Sequence, residues 1–354
     1  QRALPDFGMT WSRAGCLVLV IDQDGYGERR AHPFQRDEDY AKPYRTTRQD
    51  YYFRYDSGVQ LQLLGDSLMG WMAWDLMRGV DLLLGRQGVD PQRIILLGAV
   101  AGGGDPAAVT AALDRRIAGC VPFNFGGPQP ETGYPLPEDA DRSFDLLGGS
   151  YWDSTRGLRL GGRDDFLPWL IVASTAPRHL VHAHEFSWDR DRDPVWKRYQ
   201  QVWGQFYNAA DKIGFAHGYG TLREQASQAS HCTNIGRVHR RMIHPLFERW
   251  FGIQVAESDE YSHPRKPEEL VCLTEKARGE LRPKSLTEVM SAIGLERIDA
   301  ARRRLAGKAD AERRQLLRDD WSRLLGPVTP VAPPVIKRTS LDDQPVAGAR
   351  VERL

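Results

Sequence analysis

Short runs with many apolar residues alternate with segments of helical period through residues 10–253, and this alternation constrains the fold most strongly. The runs predicted as strands are CLVLVID (16–22), RIILLG (93–98), IAGCVPF (117–123), RHLVHAH (178–184) and KIGFAH (212–217). Helices are expected over about 61–84, from Asp105 to about 114, over 194–210 and over 237–251. Strands that alternate with helices form a parallel sheet with helices on both faces. We therefore predict an α/β fold.

The composition changes after residue 253, which predicts a division of the chain. A charged, irregular stretch is followed by a segment of helical period, rich in Arg and Ala, over 286–325. A Pro-rich stretch then begins at Pro327 and is typical of a linker. We predict an α/β domain over 1–253, a charged helical connector over 254–326, and a linker with the possible start of a further domain over 327–354.

Charge and cysteine content argue against several classes of protein. Lys and Arg total 48 and Asp and Glu total 47, so the formal net charge is only +1. A balanced charge creates no field of one sign that would attract nucleic acid or an anionic membrane surface. The four cysteines show neither a CxxC pair nor the spacing of metal ligands. We expect no nucleic-acid partner, no membrane span and no cofactor.

Gly98-Ala99-Val100-Ala101-Gly102 follows the second predicted strand and has the frame of the motif G-x-S-x-G. In that motif a serine nucleophile sits on a sharp turn between a strand and a helix. Here the central residue is Val100, so the glycines that the turn needs are present and the hydroxyl is absent. The alternative is a Gly-rich turn that binds a phosphate at the helix N-terminus, although Asp105 would repel an anion.

Several carboxylates follow the predicted strand 178–184. A hydrolase triad needs an acid in this place to hold the catalytic histidine and stabilise its charged form. Asp189 is the first candidate and Glu185 the second, with Asp191 and Asp193 also in reach. The alternating signs of the segment equally suit a solvated surface turn.

His231 follows the last predicted strand and precedes the last helix, where the base of a triad lies in the chain order nucleophile, acid, histidine. His217, His239 and His244 compete with it, and the last two are expected to cap or pack the final helix. An alternative interpretation is that His231 binds a metal ion together with two histidines of the predicted strand 178–184, His182 and His184.

Gly65-Asp66-Ser67 contains a second G-x-S, but no apolar strand precedes it. Ser67 is better explained as a residue that caps or begins a helix.

Five segments occur in a fixed order over about residues 15–253. They are DQDGYGER, LLGDSLMGWMAWDLMRGVDLL, VDPQRIILLGAVAGGGDPAAVTAALDRRI, APRHLVHAHE and SHCTNIGRVHRRMIHPLFERWF. As an ordered set they resemble the α/β-hydrolase superfamily, in particular its acetylxylan-esterase-like and dienelactone-hydrolase-like branch found in many bacteria. The resemblance implies an α/β-hydrolase-type, mostly parallel sheet followed here by a helical extension.

Carried over residue by residue, the resemblance implies roles for five positions. His231 corresponds to the catalytic histidine, Asp189 or Glu185 to the acid, and Val100 to the serine. The main-chain N–H of Ala101 corresponds to one donor of the oxyanion hole.

The second donor would come from an earlier His-Gly loop that this sequence does not contain, so we expect N-terminal strands before Gln1 and a longer protein. A shifted elbow at Gly103-Gly104-Asp105 would instead offer Asp105 as a carboxylate nucleophile.

Three functions follow as hypotheses. The first is a carboxylic-ester hydrolase for a small-molecule or acylated carbohydrate ester, with activity in doubt because Val100 has no hydroxyl. The second is a non-catalytic binding or structural module on the same fold, and the third is a metal-dependent hydrolase using His182, His184 and His231. The resemblance is compatible with a secreted or periplasmic protein, and the sequence alone assigns no compartment.

Overall fold

The structure is a computed structural model. It describes residues 7–30, 46–127, 167–220, 235–256, 260–261, 263 and 265–326. By its internal contacts the chain divides into two compact units, 1–299 and 300–354. The predicted boundaries at 253 and 326 stay predictions.

Four parallel strands form one sheet whose order follows the chain. They are β1 (Ile94–Gly98), β2 (Ile117–Pro122), β3 (His179–His184) and β4 (Ile213–His217). Each coincides with one of the apolar runs, because a strand buried on both faces needs apolar side chains at nearly every position. Four of the five predicted strands are therefore confirmed.

Ten α-helices lie within the described ranges. They are α1 (Phe7–Arg13), α2 (Thr46–Leu63), α3 (Leu68–Leu84), α4 (Val100–Leu113), α5 (Pro168–Ala173), α6 (Pro194–Gln200), α7 (Arg237–Phe251), α8 (Glu275–Leu281), α9 (Leu286–Leu305) and α10 (Asp310–Leu325). A π-helical segment, Gln201–Phe206, continues α6.

The sheet is covered on both faces, because successive side chains of a strand point to opposite sides. Leu180 packs against α5 and α6, in a cluster that contains Ile171 and Tyr199. Its neighbour Val181 packs on the other face, in a cluster with Trp11 of α1 and Phe247 of α7. The predicted α/β fold, a parallel sheet with helices on both faces followed by a helical extension, is confirmed.

The strand predicted at residues 16–22 is wrong. No strand is assigned to this segment in the structure, and Leu17 and Val20 are 56% and 78% exposed. Among the described residues β1 pairs with β2 alone, and no main-chain hydrogen bond joins residues 17–21 to β1. A strand exists only through its partner, which a periodic sequence does not supply.

The helix predicted over 61–84 is interrupted. Gly65 takes a φ of +81°, and Ser67 begins α3 by accepting a hydrogen bond from the N–H of Gly70 at 3.0 Å. Ser67 is thus a helix cap, as predicted, because a serine side chain satisfies an N–H that the helix leaves unpaired.

The N-cap predicted at Asp105 is also wrong. The N–H of Gly103 already bonds to the carbonyl of Ala99 at 3.1 Å, so α4 begins at Val100 and contains Asp105 and Pro106. Ala99 is the N-cap residue and makes no side-chain cap.

The predicted helical extension is present, and it consists of several separate helices. Met290 of α9 packs in one cluster with Leu61, Leu68 and Met72 of α2 and α3. In the second unit, Arg304 and Asp320 form an ion pair at 2.7 Å. None of the helices that the structure describes combines the length and the apolar character needed to cross a membrane.

Candidate active site

The turn between β1 and α4 is strained at one residue. Val100 has a φ of +56° and is 5% exposed. A positive φ is rare for any residue with a side chain, and a β-branched residue there is an outlier. The strain is of order 1–3 kcal/mol and persists only where the surrounding structure imposes it.

Two glycines allow the close main-chain contacts that accompany the positive φ of Val100. A Cβ on Gly98 would overlap the carbonyl of Gly103, where α4 folds back against the end of β1. A Cβ on Gly104 would overlap the carbonyl of Phe123, just after β2. The Gly-rich sequence thus lets α4 start directly at the sheet, with Val100 at the tip of the turn.

A buried cation lies over the first turn of α4. The Nε2 of Gln23 donates to the carbonyl of Gly102, and the Nη1 of Arg54 donates to the Oε1 of Gln23 at 3.1 Å. Arg54 is only 5% exposed, and its guanidinium lies over the Tyr26 ring, 5.4 Å from its centre. Sequence reasoning missed Arg54, because nothing in the pattern of α2 separates it from an ordinary surface arginine.

The ends of β2 and β3 meet through Asn124 and Glu185. The Nδ2 of Asn124 donates to the Oε2 of Glu185 at 2.7 Å, and the N–H of Glu185 donates to the Oδ1 of Asn124 at 3.0 Å. Both residues are about 1% exposed, and Asn124 has a φ of +59°. Asn124 was also missed, although an asparagine directly after a strand favours this backbone conformation.

His239, in the first turn of α7, completes this group of buried polar residues. Its Nε2 lies 2.8 Å from the carbonyl of His184, so it is this nitrogen that carries a proton and donates. Burial lowers the pKa of His239 to about 4, with the hydrogen bond and the charge of Glu185 acting in the opposite direction. His239 therefore stays neutral at pH 7 and packs α7 onto the sheet, as expected.

The other carboxylates after β3 have different surroundings. Asp189 is partly exposed and lies 3.9 Å from the Nε of Arg192, while Asp191 is on the surface. Asp193 is fully buried, caps α6 through the N–H of Val195, and accepts from the Nε1 of Trp188, both at 2.8 Å. Burial raises the pKa of Asp193 to about 6. Among these candidates only Glu185 directly follows β3.

His182 and His184 are both buried and have different environments. His184 approaches the carbonyl of Phe186 at 3.2 Å. Neither ring nitrogen of His182 has a hydrogen-bond partner in the described structure, and burial lowers its pKa to about 3. No group of three metal-ligating side chains occurs within the ranges that the structure describes.

His231 lies outside the described residues, so its distance to Glu185, Asp189 or Val100 is not part of the structure. Asp105 is fully buried, and it lies inside α4 together with Gly103 and Gly104. The alternative turn at 103–105 is therefore helical. The main chain of Ala101 lies in the first turn of α4.

Comparison with known proteins finds similarity at the level of solved structures. A methylesterase aligns over 66% of this chain and 48% of its own, with 17% identity and a TM-score of 0.43. A Bacteroides fragilis protein described as a candidate acetyl xylan esterase aligns over 76% and 61%, also with 17% identity and a TM-score of 0.43. A glucuronoyl esterase of carbohydrate esterase family 15 from Caldicellulosiruptor kristjansonii aligns over 58% and 57%, with 19% identity and a TM-score of 0.34.

The solved structures that this chain resembles are described as esterases. At these identities the likeness concerns the fold, and the activities in those names belong to those proteins. The chain spans about half to three fifths of their length. No family model and no curated protein matches it.

Proposed function

We propose that this chain is an ester-hydrolase module without turnover of its own, which keeps the backbone of a nucleophile elbow and carries Val100 in place of the nucleophile. The observation that supports the proposal is the φ of +56° at a buried valine between β1 and α4. A β-branched residue gains nothing from this conformation, so the turn is held by its surroundings. Without an Oγ, Val100 cannot form an acyl intermediate.

The remaining parts of the site keep roles that suit an ester. Glu185 would hold His231 and stabilise its charged form, with Asp189 as the other carboxylate. The N–H of Ala101, at the start of α4, would donate to an oxyanion. The ligand would be a small-molecule or carbohydrate ester.

The same valine favours a second function, binding of an acylated carbohydrate without cleavage. Such a module would hold the ester at the turn and leave it intact. The response of Val100→Ser separates these two functions.

The test introduces a serine Oγ at position 100. Turnover of an aryl acetate is measured for the wild type, for Val100→Ser, and for Val100→Ala as the matched control that shortens the side chain without adding a nucleophile. We expect no enzymatic turnover from the wild type or the control. Val100→Ser should gain at least about 100-fold over the uncatalysed rate, the lower end of what general acid–base catalysis contributes. Glu185→Gln should remove most of that gain.

Other results would contradict the proposal. A folded Val100→Ser without turnover would leave only the binding module, which titration with an acetylated oligosaccharide would then test. Turnover by the wild type that Asp105→Asn abolishes would identify a carboxylate nucleophile. Turnover that a chelator abolishes, with bound metal found by elemental analysis, would favour the site at His182, His184 and His231.

A further inference from the structure

Pro106 deprives one main-chain carbonyl of α4 of its regular helical partner. In an α-helix the carbonyl of residue i accepts a hydrogen bond from the N–H of residue i+4. The carbonyl of Gly102 would therefore accept from residue 106, which is a proline inside the helix and has no N–H. The missing hydrogen bond falls in the first turn of α4, close to the strained Val100.

The side chain of Gln23 supplies a donor in place of that N–H. Its Nε2 donates to the carbonyl of Gly102 from a loop 79 residues earlier in the chain. A proline inside a helix is unfavourable partly because a helical hydrogen bond is lost. Gln23 offsets that loss at the turn that carries residue 100.

Arg54 fixes the orientation of the Gln23 amide. Its Nη1 donates to the Oε1 of Gln23 at 3.1 Å. An arginine only donates and a main-chain carbonyl only accepts, so the amide oxygen must face Arg54 and the amide nitrogen must face Gly102. An inverted amide would oppose two donors at one end and two acceptors at the other. We name this chain of hydrogen bonds, from Arg54 through Gln23 to Gly102, the amide relay.

The loop that carries Gln23 is itself held in place. The carboxylate of Asp22 accepts from the N–H of Glu28 at 2.9 Å, and the Nη1 of Arg29 donates to the carbonyl of Asp22 at 3.1 Å. Arg29 also forms an ion pair with Asp75 of α3. Gln23 therefore reaches α4 from a main chain with little freedom, which lowers the entropy cost of its hydrogen bond.

The amide relay also explains why residue 102 is glycine. A Cβ at this position would lie 2.6 Å from the Nε2 and the Oε1 of Gln23, and 3.0 Å from the Nη1 of Arg54. Gly102 therefore makes room for the Gln23 amide, whereas Gly98 makes room for the main chain of α4.

We propose that Gln23 and Arg54 are positioning residues for residue 100. Through the carbonyl of Gly102 the amide relay holds the first turn of α4, and with it the positive φ at position 100 and the N–H of Ala101. Without the relay this carbonyl loses its donor, and the turn can relax from a strained backbone conformation. The effect on an ester rests on the proposed function, whereas the effect on the turn does not.

Amide hydrogen exchange at residues 103–105, measured on the intact chain, reports opening of this turn. Gln23→Leu removes the donor at similar size, and Gln23→Glu keeps a partner for Arg54 but cannot donate to a carbonyl. We expect both variants to exchange about tenfold faster than the wild type, which corresponds to about 1.4 kcal/mol. Arg54→Met should accelerate exchange as well, because it lets the amide turn over. Gln60→Leu, at an exposed glutamine of α2, is the matched control and should leave exchange unchanged.

Pro106→Ala distinguishes the hydrogen bond from mere packing of Gln23. It gives the carbonyl of Gly102 its regular helical donor, so Gln23 should become dispensable. In the Pro106→Ala background we expect Gln23→Leu to accelerate exchange at residues 103–105 by less than about threefold, because the two residues serve the same carbonyl and their effects are not additive.

The consequence for an ester is measured in the Val100→Ser protein with an aryl acetate. Gln23→Leu should lower kcat at least about tenfold, because a displaced nucleophile loses its orientation toward the ester. KM should change little, since Gln23 acts through the main chain. Adding Pro106→Ala should restore kcat.

Four results would overturn the proposal in whole or in part. Unchanged exchange in both Gln23 variants would show that the amide relay does not hold the turn, and unchanged exchange in Arg54→Met would remove Arg54 from it. Equal acceleration with and without Pro106→Ala would show that Gln23 acts by packing. Faster exchange with unchanged kcat in Val100→Ser would show that other contacts position residue 100. Absence of turnover in Val100→Ser itself contradicts only the proposed function, and the exchange measurements then decide the amide relay.

Discussion

Replacing His182 with leucine is expected to stabilise the protein, and to do so more strongly in acid than at neutral pH. His182 lies in β3 among the rings of Trp188, Trp196 and Tyr199 and is 2% exposed. Neither ring nitrogen has a hydrogen-bond partner in the described structure. Burial of such a group costs about 1–3 kcal/mol, so leucine, with a similar size and no polar atom, should gain about 1 kcal/mol at neutral pH.

The stabilisation by His182→Leu increases as the pH falls, because protonation of His182 is unfavourable in the folded protein. Burial, with a smaller contribution from His184, lowers its pKa from 6.5 to about 3. Between these values the unfolded chain binds a proton that the folded chain does not, so the free energy of unfolding falls as the pH falls. The loss is about 1.4 kcal/mol per pH unit, or about 2 kcal/mol between pH 7.5 and pH 5. His182→Leu removes it.

The comparison must be made between variant and wild type at each pH, because other groups titrate in the same range. His239, with a pKa of about 4, destabilises the fold in acid in the same way as His182. Asp193 acts in the opposite direction, because its pKa is raised to about 6 and the folded state then binds the proton first. Both effects are common to the two proteins and cancel in the difference.

The assay is denaturant unfolding followed by tryptophan fluorescence at about pH 5 and about pH 7.5. We expect the variant to exceed the wild type by about 1 kcal/mol at the higher pH and about 3 kcal/mol at the lower. His263→Leu is the control, because that histidine is exposed and its removal should leave the difference between the two pH values unchanged. A variant whose advantage is the same at both pH values, or that is less stable throughout, would refute the reasoning.

Two further predictions concern buried polar pairs. Asn124→Ala should lower the free energy of unfolding by about 2–3 kcal/mol, because Glu185 loses two hydrogen bonds. Asn208 is an exposed asparagine that also has a positive φ, so Asn208→Ala measures the cost of placing alanine in this backbone conformation. An equal loss of unfolding free energy in both variants would contradict a stabilising pair of Asn124 and Glu185. Glu260→Gln should cost about 3–5 kcal/mol in the same assay, because it leaves the buried guanidinium of Arg240 without its carboxylate. Adding Arg240→Met should recover most of that loss, and no recovery would show that the ion pair is not its cause.

Local sequence patterns were sufficient where an element depends mainly on its own residues. The four apolar runs of β1 to β4 and the amphipathic segment of α7 carry their periodicity without interruption, so their bounds are within a residue or two of the prediction. The apolar run at residues 16–22 predicted a strand wrongly, because a strand also needs a hydrogen-bonded partner strand. It failed at Asp105 because Gly103, without a Cβ, lets α4 start earlier and closer to the sheet than capping preferences indicate.

The candidate site was predictable only in part for the same reason. Glu185 and Val100 could be found from their places after strands, since parallel strands bring their carboxyl ends to one edge. Asn124 and Arg54 could not, because their importance lies in hydrogen bonds to residues far away in the chain, Glu185 and Gln23.

The sequence by itself determined the α/β class, the parallel sheet, and the absence of a hydroxyl at the turn after β1, because these depend on residue type and on periodicity along the chain. Tertiary structure alone decided that Val100 is held at a positive φ, that Glu185 is paired with Asn124, and that residues 17–21 make no main-chain hydrogen bond to β1 within the described ranges. Each of these depends on which distant groups meet at a given point, and such contacts leave no periodic trace in the sequence.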